Sequence, residues 1–148
     1  MKNWPFLILM LCLGCGKQPT LSDFQSDGCS MFLDKSLIND DDWCRCCYEH
    51  DLAYWRGGTE KQREEADQQL RDCVYEVTGN AEFADFMYEG VRFGGSPYFY
   101  NWYRWGYGWG YERGYGELSI EELNQVRTKL LEIDDDYPKF VCNETKRN

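Results

Sequence analysis

Histidine is almost absent from this chain: there is one, His50, in 148 residues. Any imidazole chemistry must therefore run through that side chain. An excess of positive charge is absent too. The formal net charge of −10 excludes the basic surface that nucleic acid requires, and it excludes simple electrostatic docking on anionic lipid. No Gly-x-Ser-x-Gly sequence occurs, so a serine nucleophile of the elbow type is ruled out, consistent with water in that role. There are no internal repeats. The one sustained apolar run, Phe6 to Leu13, is too short to span a bilayer as a helix.

What is present begins with that run. Lys2, the apolar stretch and Gly14-Cys15 read as an export signal over residues 1–14. A small residue directly before a cysteine resembles the lipobox of bacterial lipoproteins. The resemblance implies that Cys15 is lipidated and that the protein is a membrane-anchored lipoprotein of the cell envelope; simple cleavage nearby would make it secreted. Residues 15–26 read as a polar tether, and 27–148 as one domain. Six further cysteines (Cys29, Cys44, Cys46, Cys47, Cys73 and Cys142) form an even set, which in an exported chain implies disulfides with fifteen possible connectivities.

The periodicity predicts a mainly α fold. A helix capped by Asp41 or Asp42 runs to about Trp55 and stops at Gly57-Gly58. At about 100° per residue, Trp43, Cys46, Cys47, His50, Ala53 and Tyr54 share one face, and Asp51 sits at its edge. Such a histidine beside a rim carboxylate suits a general base next to a cation site; a core histidine satisfied by a hydrogen bond is the plainer alternative. Thr59-Glu60-Lys61-Gln62 is a capping box that opens a second helix to about Val77, with Ala66, Leu70, Cys73, Val74 and Val77 as its apolar stripe. Two glycines join the helices, so they are expected as antiparallel neighbours. Asp67 borders the stripe and is the expected histidine partner, whereas Asp72 points away into solvent.

A third helix is predicted from Ala81 to about Phe93, with Phe83, Phe86, Met87 and Val91 in the core. The stretch from Tyr98 to Tyr111 alternates glycines with aromatic rings and does not read as a helix. Its rings suit either a layer covering the helices, with some lining an acyl-chain channel, or a bilayer-docking surface. Ser119-Ile120-Glu121-Glu122 caps a helix to about Ile133, with Leu123, Val126, Leu130 and Leu131 as its packing stripe. Asp134 to Asp136 read as a solvated turn. Asn143-Glu144-Thr145 matches a glycosylation sequon, discounted if the leader is bacterial.

The window Cys46-Cys47-x-x-His50-Asp51-x-x-Tyr54 resembles the active-site helix of secreted phospholipase A2, and the resemblance extends over about residues 27–77. It implies an antiparallel two-helix catalytic core stapled by disulfides, with further helices and an aromatic covering loop. It implies Ca²⁺ held by Asp51 and the main-chain carbonyls of Gly28, Ser30 and Phe32, in a loop less glycine-rich than the family's usual one. It also implies disulfides Cys29–Cys47 and Cys46–Cys73, which leave Cys142 for Cys44. The implied catalytic residues are His50, Asp67 and Tyr54, whose hydroxyl supports Asp67. The implied reaction is hydrolysis of the sn-2 ester of a glycerophospholipid in a bilayer. Two alternatives remain: a phospholipase-like surface module that binds lipid or Ca²⁺ without turnover, and a zinc site built from Cys44-x-Cys46-Cys47-x-x-His50.

Overall fold

The computed structural model describes residues 19–38 and 40–144. The expected leader and the lipidation site at Cys15 lie outside them. The fold is mainly helical: α1 (Cys44–Arg56), α2 (Glu60–Thr78), α3 (Ala81–Gly94), α4 (Ile120–Glu132) and α5 (Tyr137–Glu144), with a single 3₁₀ turn at Tyr111–Arg113. Among the described residues there is no strand, and no helix is long and apolar enough to cross a membrane. Helix α2 packs against both α1 and α3, and α1 also packs against α5.

Local chemistry explains the helix ends. Asp42 Oδ1 accepts the backbone N–H of Cys44 at 3.1 Å, so the expected acidic cap acts from one residue outside the helix, Trp43 holding the cap position. α2 opens with the reciprocal capping box between Thr59 and Gln62 and closes on left-handed Gly79. Asn80 then caps α3 through the N–H of Phe83. Cys46 bonds to Cys73, His50 meets Asp67 and Tyr54 meets Arg63, so later positions of α1 meet earlier positions of α2. All three disulfides form as expected: Cys29–Cys47, Cys44–Cys142 and Cys46–Cys73, a pattern consistent with an exported protein.

The aromatic stretch closes the last turn of α1. A helix leaves its final carbonyls without intrahelical donors. Here Gly106 N–H binds Tyr54 O (2.6 Å), Gly108 N–H binds Trp55 O (3.2 Å) and Trp109 Nε1–H binds Arg56 O (2.7 Å). Such an approach needs glycine. A Cβ on Gly57 would stand 2.9 Å from Gly106 Cα, and one on Gly108 would stand 2.6 Å from Trp55 O. The covering-layer reading therefore holds for Trp105 and Trp109, which are buried, whereas Tyr98, Phe99, Tyr100, Trp102 and Tyr111 remain exposed.

Several expectations need correction. Residues 21–26 are not a tether. Leu21 and Phe24 are buried, Phe24 meets Tyr48 and Trp55 edge-on, and Ser22 bonds to Gly108 O through both N–H and Oγ. Val77, in the last turn of α2, is exposed. Phe86 is 63% exposed because Ala84, Met87 and Val91 already form the inward stripe of α3; Phe86 lies round the helix from them and rests its ring on Phe32. On α4 only Val126 of the expected stripe is buried, and Leu123, Leu130 and Leu131 face outward. That helix is held instead by the Arg113–Glu122 ion pair, by Gln125 bonding to Leu21 N–H and Pro19 O, and by Lys129. Helix α5 was not foreseen, although Asp134 before it and Pro138 in its first turn are helix-start signals. Asp134, Asp135 and Asp136 form the solvated turn anticipated for them.

The close approach at Gly108 yields a stability test. Gly108→Ala places a methyl against Trp55 O and the Leu21 side chain, at an expected cost of about 1–3 kcal/mol for overpacking. Gly110→Ala meets nothing nearer than Glu112 Oε2 at 3.5 Å and is expected to lie within about 0.5 kcal/mol of wild type. Urea unfolding midpoints of the two variants check the contrast.

Candidate functional site

Helices α1, α2 and α3 converge on one carboxylate. Asp67 in α2 is fully buried. Its Oδ1 lies 2.8 Å from His50 Nε2 and accepts the Tyr54 hydroxyl at 2.8 Å. Its Oδ2 accepts Arg92 NH1 at 2.7 Å and stands 3.7 Å from Arg63 Nε. Burial by itself would raise the pKa of this carboxyl, but the hydrogen bonds and charge from His50, with the hydrogen bonds from Arg92 and Tyr54, outweigh it and hold the group below the usual carboxylate range. Asp67 is thus an anion at neutral pH, and it fixes His50 as the tautomer with its proton on Nε2. Nδ1 is left as the lone-pair nitrogen, with no hydrogen bond among the described residues, on a side chain that lines a cavity. The expected preference for Asp67 over Asp72 holds: Asp72 is exposed and pairs with Arg71.

Tyr54 is itself positioned. Its ring lies 4.2 Å from that of His50 and edge-on to Trp105. Arg63 Nε donates to its hydroxyl at 3.0 Å, and burial, reinforced by the Asp67 charge, pushes the phenol's pKa up. The hydroxyl therefore stays protonated as a donor. Arg63 spends its remaining donors on the Tyr115 hydroxyl and on the carbonyls of Val91 and Arg92, tying α2 to the end of α3. Neither arginine was foreseen. The four-residue spacing of Arg63 and Asp67 on one helix is a signal for the first. Arg92 arrives from another helix, and no local pattern points to it.

Asp51 sits on the opposite flank of His50. Its Oδ2 accepts the Ser26 hydroxyl at 2.6 Å, and Ser26 Oγ in turn accepts the N–H of Gly28 at 3.2 Å. Burial pushes the Asp51 carboxyl up to about 8, the Ser26 hydrogen bond opposes the shift, and the charges of Asp27 and Asp34 add to it. The loop is shaped by left-handed Gly28, by Cys29 N–H bonding to Asp34 Oδ1 and by the Cys29–Cys47 disulfide. Gly28, Ser30, Phe32 and Asp51 all line the His50 cavity, so all the expected metal-site residues meet in one place.

That cavity has a volume of about 410 Å³, within the range of small-ligand sites. Its far wall is apolar, with Leu70, Met87 and Val91 deep and Phe93 and Phe99 near the rim, while His50 and Asp51 form its polar end. Asn101 also lines it, and Asn101 Oδ1 is a buried acceptor without a hydrogen-bond partner. An unpaired oxygen, a carboxyl raised chiefly by burial and a loop of main-chain carbonyls are the donors a hard cation takes. Among the described residues no three His, Cys, Asp or Glu side chains group to hold a metal. The zinc alternative fails because Cys44, Cys46 and Cys47 are all in disulfides and supply no thiolates.

The Asp67 network sets an acid limb for stability. A carboxyl lowered in the folded state contributes stability that is fully present above its unfolded value and lost as pH falls through the folded one. Asp67→Asn is expected to flatten that limb in acid titrations of the unfolding free energy. Asp67→Ala, which leaves Arg63 and Arg92 facing each other without a counter-charge, should cost about 3–5 kcal/mol by denaturant unfolding at neutral pH.

No family model, no curated protein and no solved structure matches this chain.

Proposed function

We propose that the chain is a Ca²⁺-dependent phospholipase A2-type hydrolase of the sn-2 ester of glycerophospholipids. The observation that carries the reading is the pair of His50 Nε2 and Asp67 Oδ1 at 2.8 Å, with Nδ1 lacking a partner at the polar end of an apolar cavity. This is the arrangement a water-activating base requires, and it agrees with the motif Cys46-Cys47-x-x-His50-Asp51-x-x-Tyr54. In this reading the disulfide-linked α1 and α2 are the antiparallel catalytic core.

His50 Nδ1 takes a proton from a water as that water attacks the ester carbonyl, then returns it to the leaving alkoxide. Asp67 stays ionised and stabilises the imidazolium; Tyr54 and the two arginines keep it so. A positioned base of this kind contributes about 10²–10⁴-fold in rate. Asp51, the carbonyls of Gly28, Ser30 and Phe32, and Asn101 Oδ1 would hold Ca²⁺, which supplies charge for the phosphate and the developing oxyanion. The acyl chain occupies the cavity wall of Leu70, Met87 and Val91, and the exposed Met31, Phe93 and Phe99 at the rim would meet the bilayer. An anchor at Cys15 would keep the domain at that surface.

The deciding experiment is fatty-acid release from mixed phospholipid vesicles, with Ca²⁺ or with EGTA, for wild type and His50→Ala. Release from the sn-2 position is expected only with both Ca²⁺ and His50, the variant falling by at least about 10²-fold. Equal, negligible release in all four samples would sink the hydrolase reading in favour of a binding module. A second outcome follows from Asp51. Because its carboxyl is raised to about 8, protons compete with the cation, so Ca²⁺ affinity by calorimetry should climb as pH rises towards about 8 and then level off. Asp51→Asn should weaken binding and remove that slope.

A further inference from the structure

A second cleft, of about 800 Å³, meets the His50 cavity at Ser30, Asp51, Asn101 and Tyr103. Part of its lining is the aromatic stretch, with Trp102, Tyr107 and Tyr111, and part is the segment from Thr20 to Asp27. The Tyr107 hydroxyl ties the two together, donating to Gln25 O at 2.7 Å. The proposed hydrolysis leaves these rings without a role. We propose that this cleft binds a neutral oligosaccharide, a chain of β-linked pyranose units laid against Trp102.

Charge narrows the ligand class first. Asp23 is paired with Lys129, and Arg104 offsets Asp27. Burial pushes Asp51 up to about 8, so at neutral pH it holds a proton or, on the hydrolase reading, the cation. The cleft therefore offers little net field, and a charged ligand would lose hydration there without compensation. A neutral ligand that hydrogen-bonds does not face that cost.

The rings then fix the shape. Trp102 is 59% exposed, with Tyr103 edge-on to it at 5.3 Å. Tyr111 is held by the Arg104 guanidinium at 4.4 Å and by the Tyr100 ring at 4.9 Å. An indole left open in a recess and braced by its neighbours offers a flat apolar face at low entropic cost. A gluco-configured, β-linked pyranose presents only C–H groups on its faces, because its hydroxyls and linkages project equatorially from the rim. Ring and sugar face match in shape and polarity.

The rest of the lining supplies what the hydroxyls need. Thr20 and Gln25 are exposed, and their side-chain polar groups, like Trp102 Nε1, make no hydrogen bond among the described residues. Asp27 accepts the Ser30 hydroxyl at 2.8 Å through one carboxylate oxygen and has the other beside it. Hydroxyl, amide, indole and carboxylate together provide both donors and acceptors, as a polyol requires. An acyl chain would dehydrate these groups without pairing them. A proline-rich peptide also stacks on aromatic rings, yet proline has no N–H and would leave Asp27 without a donor.

The sugar site stands apart from the hydrolase reading, so binding is measured with EGTA and without lipid. Calorimetry compares cellotetraose and tetra-N-acetylchitotetraose, both neutral and β-linked, with decaproline as the peptide probe. At least one tetrasaccharide is expected to bind, its affinity constant within about twofold between ~50 mM and ~500 mM NaCl, as suits an uncharged ligand. Trp102→Ala should weaken it at least about tenfold, the loss of an aromatic anchor. Gln25→Ala should weaken it about three- to tenfold, the scale of one hydrogen bond. Both side chains are exposed, and circular dichroism checks that each variant is folded. No binding of either sugar at millimolar concentration overturns the site, as does sugar binding that Trp102→Ala leaves unchanged. Decaproline binding that depends on Trp102, without sugar binding, overturns it too and makes the cleft a peptide groove. With no lipid and no free Ca²⁺ present, none of these outcomes turns on whether the chain hydrolyses phospholipid.

Discussion

One buried carboxylate organises the centre of this molecule. Placing Asp67 fully out of water costs several kcal/mol unless its charge is met, and four side chains meet it. They come from three helices: His50 and Tyr54 from α1, Arg63 from α2 and Arg92 from α3. The requirement to satisfy one anion therefore sets how the three helices sit. It also sets the chemistry, since an ionised Asp67 decides which nitrogen of the only imidazole carries its proton. Stability and reactivity share this group, so the site cannot relax without loosening the fold around it.

The aromatic stretch solves a different problem. The last turn of α1 would otherwise present carbonyls without donors to the interior. Glycines 106 and 108 bring backbone N–H groups against it, and Trp109 and Trp105 add indole N–H groups to Arg56 O and Gly58 O. Gly108 completes the connection, donating to Trp55 O and accepting from Ser22, so the segment before the first helix is tied to the same point. The rings that do not serve this closure remain outside, and some of them line the cleft beside Asp51. Support for the end of α1 and part of the cleft wall thus come from one strip of chain.

Much of the site was legible in the sequence because its signals are local. The spacing of Cys46, Cys47, His50, Asp51 and Tyr54 fixes a helical face, and the capping box at Thr59 fixes where α2 begins and hence where Asp67 points. Choosing Asp67 over Asp72 needed only the wheel of that helix. The errors are equally physical. Leu123, Leu130 and Leu131 form a stripe at helical spacing, yet a stripe shows only that a helix could bury a face, and nothing among the described residues covers that one. Residues 21–26 look like a tether because they are short and mostly polar. Two apolar side chains, Leu21 and Phe24, are enough to dock them once a recess exists between α1, α5 and the aromatic loop.

By itself the sequence determined the helical class, the start of each capped helix and which face of α2 carries Asp67, because capping and helical periodicity depend on residues within a turn or two of one another. Only the tertiary structure brought Arg92 to Asp67, Ser26 to Asp51 and the aromatic strip to the end of α1. Those contacts join residues from separate elements, and their energy exists only once burial has removed water from both partners.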